Sequence, residues 1–497
     1  MKKRVLSLAL CAIALLGTQA LTSCGGSTVD GAGEDFEVLD LDILKEGHTE
    51  VEFWQSFGQQ IEDDLLPLVD QFEADMQAQG YNVTVNVTNK GGGYDGLRSS
   101  VNMGISSNAV PTMVLGYPDH FADYIDSGIL LPLDEYVYSE NEAIALEGVT
   151  KESNDFIPSY WAENQMVING EKKVAGIPFN KSTEVMYYNA SMVDPILEEL
   201  GYLDENDTWQ NPTWEEVFAV SQYIIDNKST LSYVHNSATY TVGSKMTYPV
   251  FVDSEANFFI TTSRQWGGEG YYTTVDSNGK GIVTAYNDSN KAAQEYFLAK
   301  ADAKLFQFPK KESQSYGSKL MLNRNAFISI GSTAGVKNNA HVSYELKVTS
   351  IPQKDDQHKS VIQQGTNLAI LTPNSNNKTR LAAWMLIKYL TNAENNEAFS
   401  TATGYLPVRQ SILESDTFKA FCAAEDDPFA ENVPKAINAA FAQKDYFYTD
   451  PAFSGSSLVR DKIGTVILDM YIYDKSYDKA MGSFYSELEM LGINTQK

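Results

Sequence analysis

A chain of 497 residues is too long for one ordinary hydrophobic core, so two lobes or domains are expected. Its 43% hydrophobic and 11% aromatic content excludes a disordered chain. A formal net charge of −28 argues against nucleic acid as a partner, because phosphate backbones are held by a basic footprint.

The N-terminus reads as an address. Lys2, Lys3 and Arg4 precede an apolar run from Val5 to Leu16 that is too short to span a bilayer comfortably. Leu21-Thr22-Ser23-Cys24 then resembles the bacterial lipobox, which implies a lipoprotein signal peptide over 1–23 and lipidation of Cys24. A plain secretory signal is the alternative. Removing the three positive residues takes the net charge from −28 to −31. Residues 24–48 read as a flexible acidic tether, with a reach of about 25–30 Å if it is random coil. No later segment carries 18 uninterrupted apolar residues, so no transmembrane helix is expected. The cysteines Cys11, Cys24 and Cys422 suggest no disulfide framework.

Val51-Glu52-Phe53-Trp54 predicts a short strand. Ile61, Leu65, Val69, Phe72 and Met76 recur at helical spacing over 61–79, with Pro67 predicting a late start or a kink. Residues 81–87 alternate apolar and polar, as a strand does. The glycine-rich loop 91–96 leads to a helix near 96–107, and 112–117 forms another strand. Strands alternating with helices predict an α/β lobe with a largely parallel sheet. Ligands bind beyond the carboxyl ends of such strands, which places Trp54, Tyr94 and Tyr117 near one edge. In 176–189 two apolar runs, Ile177–Phe179 and Val185–Tyr188, flank the polar Asn180-Lys181-Ser182-Thr183, and no turn signal joins them. Thr213 and Glu216 form a capping box for a helix over 214–226. The stretch 240–290 reads as a loop-heavy aromatic insertion.

Five histidines are scattered at 48, 120, 235, 341 and 358, with no zinc-ligand spacing and no Walker A sequence. Gly331-Ser332-Thr333-Ala334-Gly335 has threonine where a nucleophile elbow needs serine. No catalytic residue, metal or cofactor is therefore expected. A carboxylate pair for glycoside hydrolysis is a spatial arrangement that sequence leaves open.

Five separated stretches, in order, resemble the extracellular solute-binding proteins of bacterial ABC importers, most of all the branch for glycerol 3-phosphate and sugars. They are IPFNKSTEVMYYN (177–189), NPTWEEV (211–217), AFISIGSTAG (326–335), QQGTNLAI (363–370) and AAWMLIKYLTNAENNEAFSTATGYLPVRQSIL (382–413). The resemblance implies a two-lobed α/β fold of the periplasmic-binding-protein type II. Its lobes would be discontinuous and joined by a hinge: 49–178 with 348–400, and 184–345 with 405–497. It implies a monomer that captures a polyol phosphate, sugar or oligosaccharide for a membrane permease, outside the cytoplasm and without covalent chemistry.

Family positions carry over to Tyr94, Ser182, Ser332, Gly365, Tyr405 and Arg460, the last as the partner of a phosphate. Thr183 follows with Ser182. Trp54 and Trp266 are stacking candidates by position only. Where the glycerol phosphate branch has a glutamate after its strand, this chain has Pro118 and then Asp119: either Asp119 takes that role with a one-residue shift, or the ligand is a larger sugar or another phosphodiester. Capping by Ser182, Thr183 or Ser332, hinge packing by Tyr405 and an ion pair at Arg460 are the plainer alternatives. A surface glycoside hydrolase and a ligand-free adhesin or chaperone-like lipoprotein are the alternative functions.

Overall fold

The computed structural model describes residues 36–276, 279–425 and 430–496. The signal region, Cys24 and the first part of the tether lie outside the described residues. Residues 36–48 do not form a loose tether: Leu41 and Leu44 are buried in a short 3-10 helix, and Phe36 packs edge-on to Tyr136 at 5.2 Å.

Ten strands form one sheet that runs through both lobes. In chain order they are β1 (Thr49–Gln55), β2 (Val83–Asn89), β3 (Met113–Gly116), β4 (Ile177–Asn189), β5 (Val250–Val252), β6 (Phe306–Gln307), β7 (Ile328–Ser332), β8 (Leu346–Thr349), β9 (Val361–Ile370) and β10 (Phe447–Tyr448). The strand order is β6-β5-β7-β4-β9-β3-β1-β2, with β8 on β4 and β10 on β9. β1 pairs parallel with β2 and β3, as the βαβ rhythm predicts. The helix between them, α1 (Gln59–Ala78), buries Leu65, Val69, Phe72 and Met76. Pro67 lies within α1 and neither delays its start nor ends it. After β2 come α2 (Gly93–Gly104) and, beyond β3, α3 (Pro118–Asp126).

Two hydrophobic cores divide the sheet. One gathers Leu41 to Phe179 and Leu368 to Val408; the other gathers Val185 to Ile362 and most of the C-terminal region. The second core claims Ile351, Val361 and Ile362, so the chain joins the first core later than the expected 348. Strands β4 and β9 cross between the cores. The polar stretch Asn180–Thr183 does not interrupt β4, which runs unbroken through thirteen buried residues. Pairing explains this: β9 pairs with residues 177–183 around a bulge at Phe179, and β7 takes over at 184–188, so a ladder runs along the whole polar stretch.

The capping box at Thr213 and Glu216 starts α4 (Trp214–Asn227) as predicted. The stretch 240–290 is not the loop-heavy insertion expected. It holds β5, a central strand of the second lobe, and α5 (Glu255–Gly267), whose Phe258, Phe259 and Ile260 are buried. Short strands and a helix buried on several faces carry little periodicity, which hid both elements. Two further helices matter below: α6 (Asn377–Leu390), where Trp384 is core, and α7 (Ser456–Tyr471).

Candidate ligand-binding site

The crossing strands place a cleft between the cores. It encloses about 2240 Å³ including its open mouth. Ser182 lines it from β4, with Phe179 packed in one core and Val185 in the other. Tyr94 enters from α2 and Tyr117 caps α3. Ser332 ends β7, Tyr405 follows a helix, and Arg460 comes from α7. The Tyr94 and Tyr405 hydroxyls lie 3.0 Å apart, and the Asn180 amide donates to Tyr94 at 3.3 Å. Tyr94 and Tyr117 meet edge-on at 5.2 Å. Burial raises all three phenols above their ordinary pKa.

Gly365 sits in β9 at φ +91°, and a Cβ there would lie 2.1 Å from the Asn180 carbonyl oxygen. Glycine thus lets the two crossing strands approach. Ser332 lines the cleft and also caps its turn, its hydroxyl accepting from the Ala334 amide at 3.3 Å. Tyr405 likewise serves two ends, stacking on Phe399 and facing the cleft.

Arg460 is bonded to Asn257, whose amide donates to Glu184 at 2.9 Å. Burial alone would lower the Arg460 pKa, but Asp119, Tyr117, Tyr272 and Asp450 outweigh it and hold the guanidinium firmly charged. Asp119 also accepts from the His120 amide at 2.9 Å.

Three expected residues belong elsewhere. Trp54 is not among the cleft residues; its indole donates to Glu52 at 2.8 Å, and Lys90 covers its ring at 3.4 Å. Thr183 lies on the opposite face of β4 from Ser182 and donates to the Ile362 carbonyl at 2.8 Å. Trp266 packs on Tyr296 and Phe297 at the end of α5.

Other residues reach the cleft unannounced. Glu184 shares the Ser182 face, a period-two relation legible in the sequence. Asp253 follows β5, beyond a strand end inside the stretch read as loop. Its space exists because Gly331 has no side chain: a Cβ there would lie 2.5 Å from the Asp253 carboxylate. Burial pushes Glu184 and Asp253 up to about 7 and Asp461 to about 6.

A second, smaller pocket adjoins the cleft and shares Tyr117, Asp119 and Arg460 with it. Its walls include Glu163, Tyr272, Thr273, Gln363 and Asp450. Asp450 is pushed up to about 7 by burial, against the pull of Arg460 and Arg264.

These carboxyls set the pH dependence of the fold. Above about pH 4 the unfolded chain has released protons that the folded form still holds, so stability falls as pH rises toward about 7. A tenfold difference in proton affinity between the folded and unfolded forms is worth about 1.4 kcal/mol. His120, Lys181 and Lys388, all lowered by burial, work the other way, Lys388 only near its value of about 8, so the four raised carboxyls dominate between pH 5.5 and 7. The ligand-free protein is therefore expected to melt at a lower temperature at pH 8 than at pH 5.5. A higher melting temperature at pH 8 would show that burial does not hold these carboxyls protonated.

The rim is clasped. Arg98 of α2 pairs with Asp461 of α7 at 2.8 Å and with Asp123 at 3.6 Å. Asp123 accepts from the Gly455 amide at 3.0 Å.

Two α/β lobes, joined by crossing strands around a polar cleft, define a two-lobed solute-binding protein. The chain belongs to the bacterial extracellular solute-binding protein family, whose model matches residues 68–426. Solved structures agree on the fold. The GacH receptor of Streptomyces glaucescens, solved unliganded and with acarbose, is 14% identical, with a TM-score of 0.66 over 90% of this chain and 100% of that one. UgpB of Mycobacterium tuberculosis, solved with glycerophosphocholine, is 18% identical, with a TM-score of 0.67 over 89% and 98%. Lmo0181 of Listeria monocytogenes, solved with cycloalternan, is 15% identical, with a TM-score of 0.67 over 90% and 100%. A comparison with curated protein sequences gives no match. The family is one of binding proteins rather than enzymes, which sets the glycoside hydrolase alternative aside. Among the described residues no helix is long and apolar enough to cross a membrane.

Proposed function

We propose that this protein captures a small hydroxyl-bearing solute between its lobes and delivers it to an ABC permease, held at the membrane by a lipid on Cys24. The solute is a sugar, an oligosaccharide or a polyol phosphate. The observation that carries this reading is the open cleft itself. Hydroxyls, amides and charged groups from both lobes converge there, and the protein's own side chains do not fill it, as a ligand-free adhesin would require. Binding groups contributed by both lobes meet around a ligand only when the lobes are together, which couples capture to closure. The similar structures with acarbose, cycloalternan and glycerophosphocholine support both halves of the solute class. Ser182, Ser332, Tyr94, Tyr117 and Tyr405 supply hydroxyls. Asp119 and Arg460 supply charge, and Gly365 allows close approach of backbone.

A thermal-shift screen against mono- and oligosaccharides, glycerol phosphates and glycerophosphodiesters tests the reading. A true ligand at a hundredfold excess over its Kd is expected to stabilise the protein by about 2.7 kcal/mol. No shift with any of these compounds would overturn the proposed solute class.

A further inference from the structure

Three neighbouring strands bring two carboxylates to one wall of the cleft. Glu184 on β4 stands opposite Ser332 on β7. On the other edge of β7, Val252 of β5 stands opposite Ile330, and Asp253 is the first residue beyond β5. Both carboxylates line the cleft. Their charges are near enough to repel, and this repulsion adds to burial in raising the Asp253 pKa.

Each carboxylate is half used. Glu184 Oε1 accepts from the Asn257 amide at 2.9 Å, and Asp253 Oδ1 accepts from the Gly317 amide at 2.6 Å. Among the described residues, Glu184 Oε2 and Asp253 Oδ2 have neither a hydrogen-bond partner nor an ion pair. Glu184 is only 3% exposed, yet its free oxygen is not sealed from solvent, unlike Glu255 Oε1 nearby in the chain.

The cations of the cleft are engaged elsewhere. Six carboxylates line it against three cations, Lys310, Lys319 and Arg460. Lys310 is bonded to Glu255 at 3.0 Å. Arg460 is bonded to Asn257 and surrounded by Asp119 and Asp450, and it reaches Glu184 through space alone. Lys319 is exposed. The buried charges of Lys181 and Arg409, by contrast, are each bonded to a counter-ion, Glu163 and Asp155. Buried charges are ordinarily paired, so two unpaired carboxylate oxygens on one wall mark a cation that arrives with the solute.

The chemistry of that cation follows from the pair. An ionised carboxylate only accepts, and a protonated primary amine only donates, with three N–H groups and a positive charge. A neutral hydroxyl would leave the repulsion in place, and a phosphate would add to it. A metal ion would call for more ligands: among the described residues no three histidines, cysteines or carboxylates gather around one point.

We propose that this wall is an ammonium subsite, where Glu184 and Asp253 hold a protonated amine of the captured solute. The solute is then an amine-bearing polyol or amino sugar, cationic at the end that meets the second lobe. This rests on the solute-capture reading and narrows it.

The test is titration calorimetry with glucosamine, galactosamine and the chitosan di- and trisaccharides. Their N-acetylated counterparts, glucose, glycerol 3-phosphate, calcium chloride and magnesium chloride are titrated beside them. The full chain is compared with a Glu184→Gln, Asp253→Asn double variant, whose amides keep an oxygen for Asn257 and for the Gly317 amide. An amine is expected to bind the wild type and to lose at least about tenfold in affinity when it is acetylated, or when the variant replaces the wild type. The unliganded variant is expected to melt at a higher temperature than the wild type at pH 8, because two repelling carboxylates are gone. A lower melting temperature would show that the fold itself uses both charges, and would overturn the subsite. Equal affinity for an amine and its N-acetylated form, or undiminished amine binding by the variant, would overturn it and leave solute capture standing. So would binding of neutral or phosphate compounds alone. Calcium or magnesium bound by the wild type and lost in the variant, with no amine bound, would replace the ammonium with a metal ion. No binding of any compound to the wild type would overturn this inference together with the reading beneath it.

Discussion

Gly365→Ala is expected to abolish ligand binding and to cost about 4 kcal/mol or more of stability, in the range reserved for named structural faults. The added methyl would lie 2.1 Å from the Asn180 carbonyl oxygen and 2.5 Å from Lys181 Cα. Both are backbone atoms of β4, which is packed into the two cores and cannot retreat. The φ of +91° adds strain of about 1–3 kcal/mol for any residue with a side chain. Denaturant unfolding reads the loss as a lowered midpoint. Gly482→Ala supplies the opposite expectation. That glycine lies in the helix Tyr477–Met490 with nothing within 4 Å of its would-be Cβ, so alanine should stabilise by about 0.5–1 kcal/mol. Equal midpoints for wild type and Gly365→Ala would show that the crossing strands are not tightly apposed.

Glu163→Ala is expected to be nearly as damaging. Lys181 is buried on β4, bonded to Glu163 and to the Gly365 carbonyl at 2.9 Å. Burial drives its pKa down, and Glu163 is the opposing pull. Removing one partner of a buried pair costs about 3–5 kcal/mol. Gln363 also loses the acceptor for its amide. The variant carries a pH signature. With Glu163 gone, the folded Lys181 pKa drops further below the unfolded value, so the unfolded state binds more protons. Stability of the variant relative to wild type then recovers as pH rises from 7 toward 10. Replacing both partners, Glu163→Leu with Lys181→Met, is expected to restore most of the loss, since an apolar pair leaves no buried charge. A Glu163→Ala cost under about 1 kcal/mol, flat with pH, would deny the pair its role.

Much of this hinge was legible in the sequence, because β4 and the Gly365 strand lie in contiguous motifs. The mistakes have physical reasons. A polar stretch lies between two apolar runs, yet β4 continues through it, because β9 pairs with it and Asn180, Lys181 and Thr183 each bond a partner across the hinge while Ser182 faces the cleft. Trp54 and Trp266 followed from their places along the chain, which do not fix the side to which an indole turns. Thr183 failed on parity, since its neighbours Ser182 and Glu184 share the cleft face. Asp253 was hidden in a stretch whose short strand and buried helix lack clean periodicity. Tyr272, Gln363 and Asp450 carry no local signal. They meet because β3 and β10 leave part of one β9 edge uncovered, a long-range outcome of the topology.

The central claim is capture of one small solute in the interlobe cleft. Calorimetric titration of the best-stabilising sugar or phosphate into wild type and Ser332→Trp tests it most directly. Ser332 is a half-buried cleft residue, so the indole fills the site without entering either core. A saturable one-to-one heat signal is expected for the wild type and none for the variant, with circular dichroism showing both folded. Undiminished one-to-one binding by folded Ser332→Trp would contradict it.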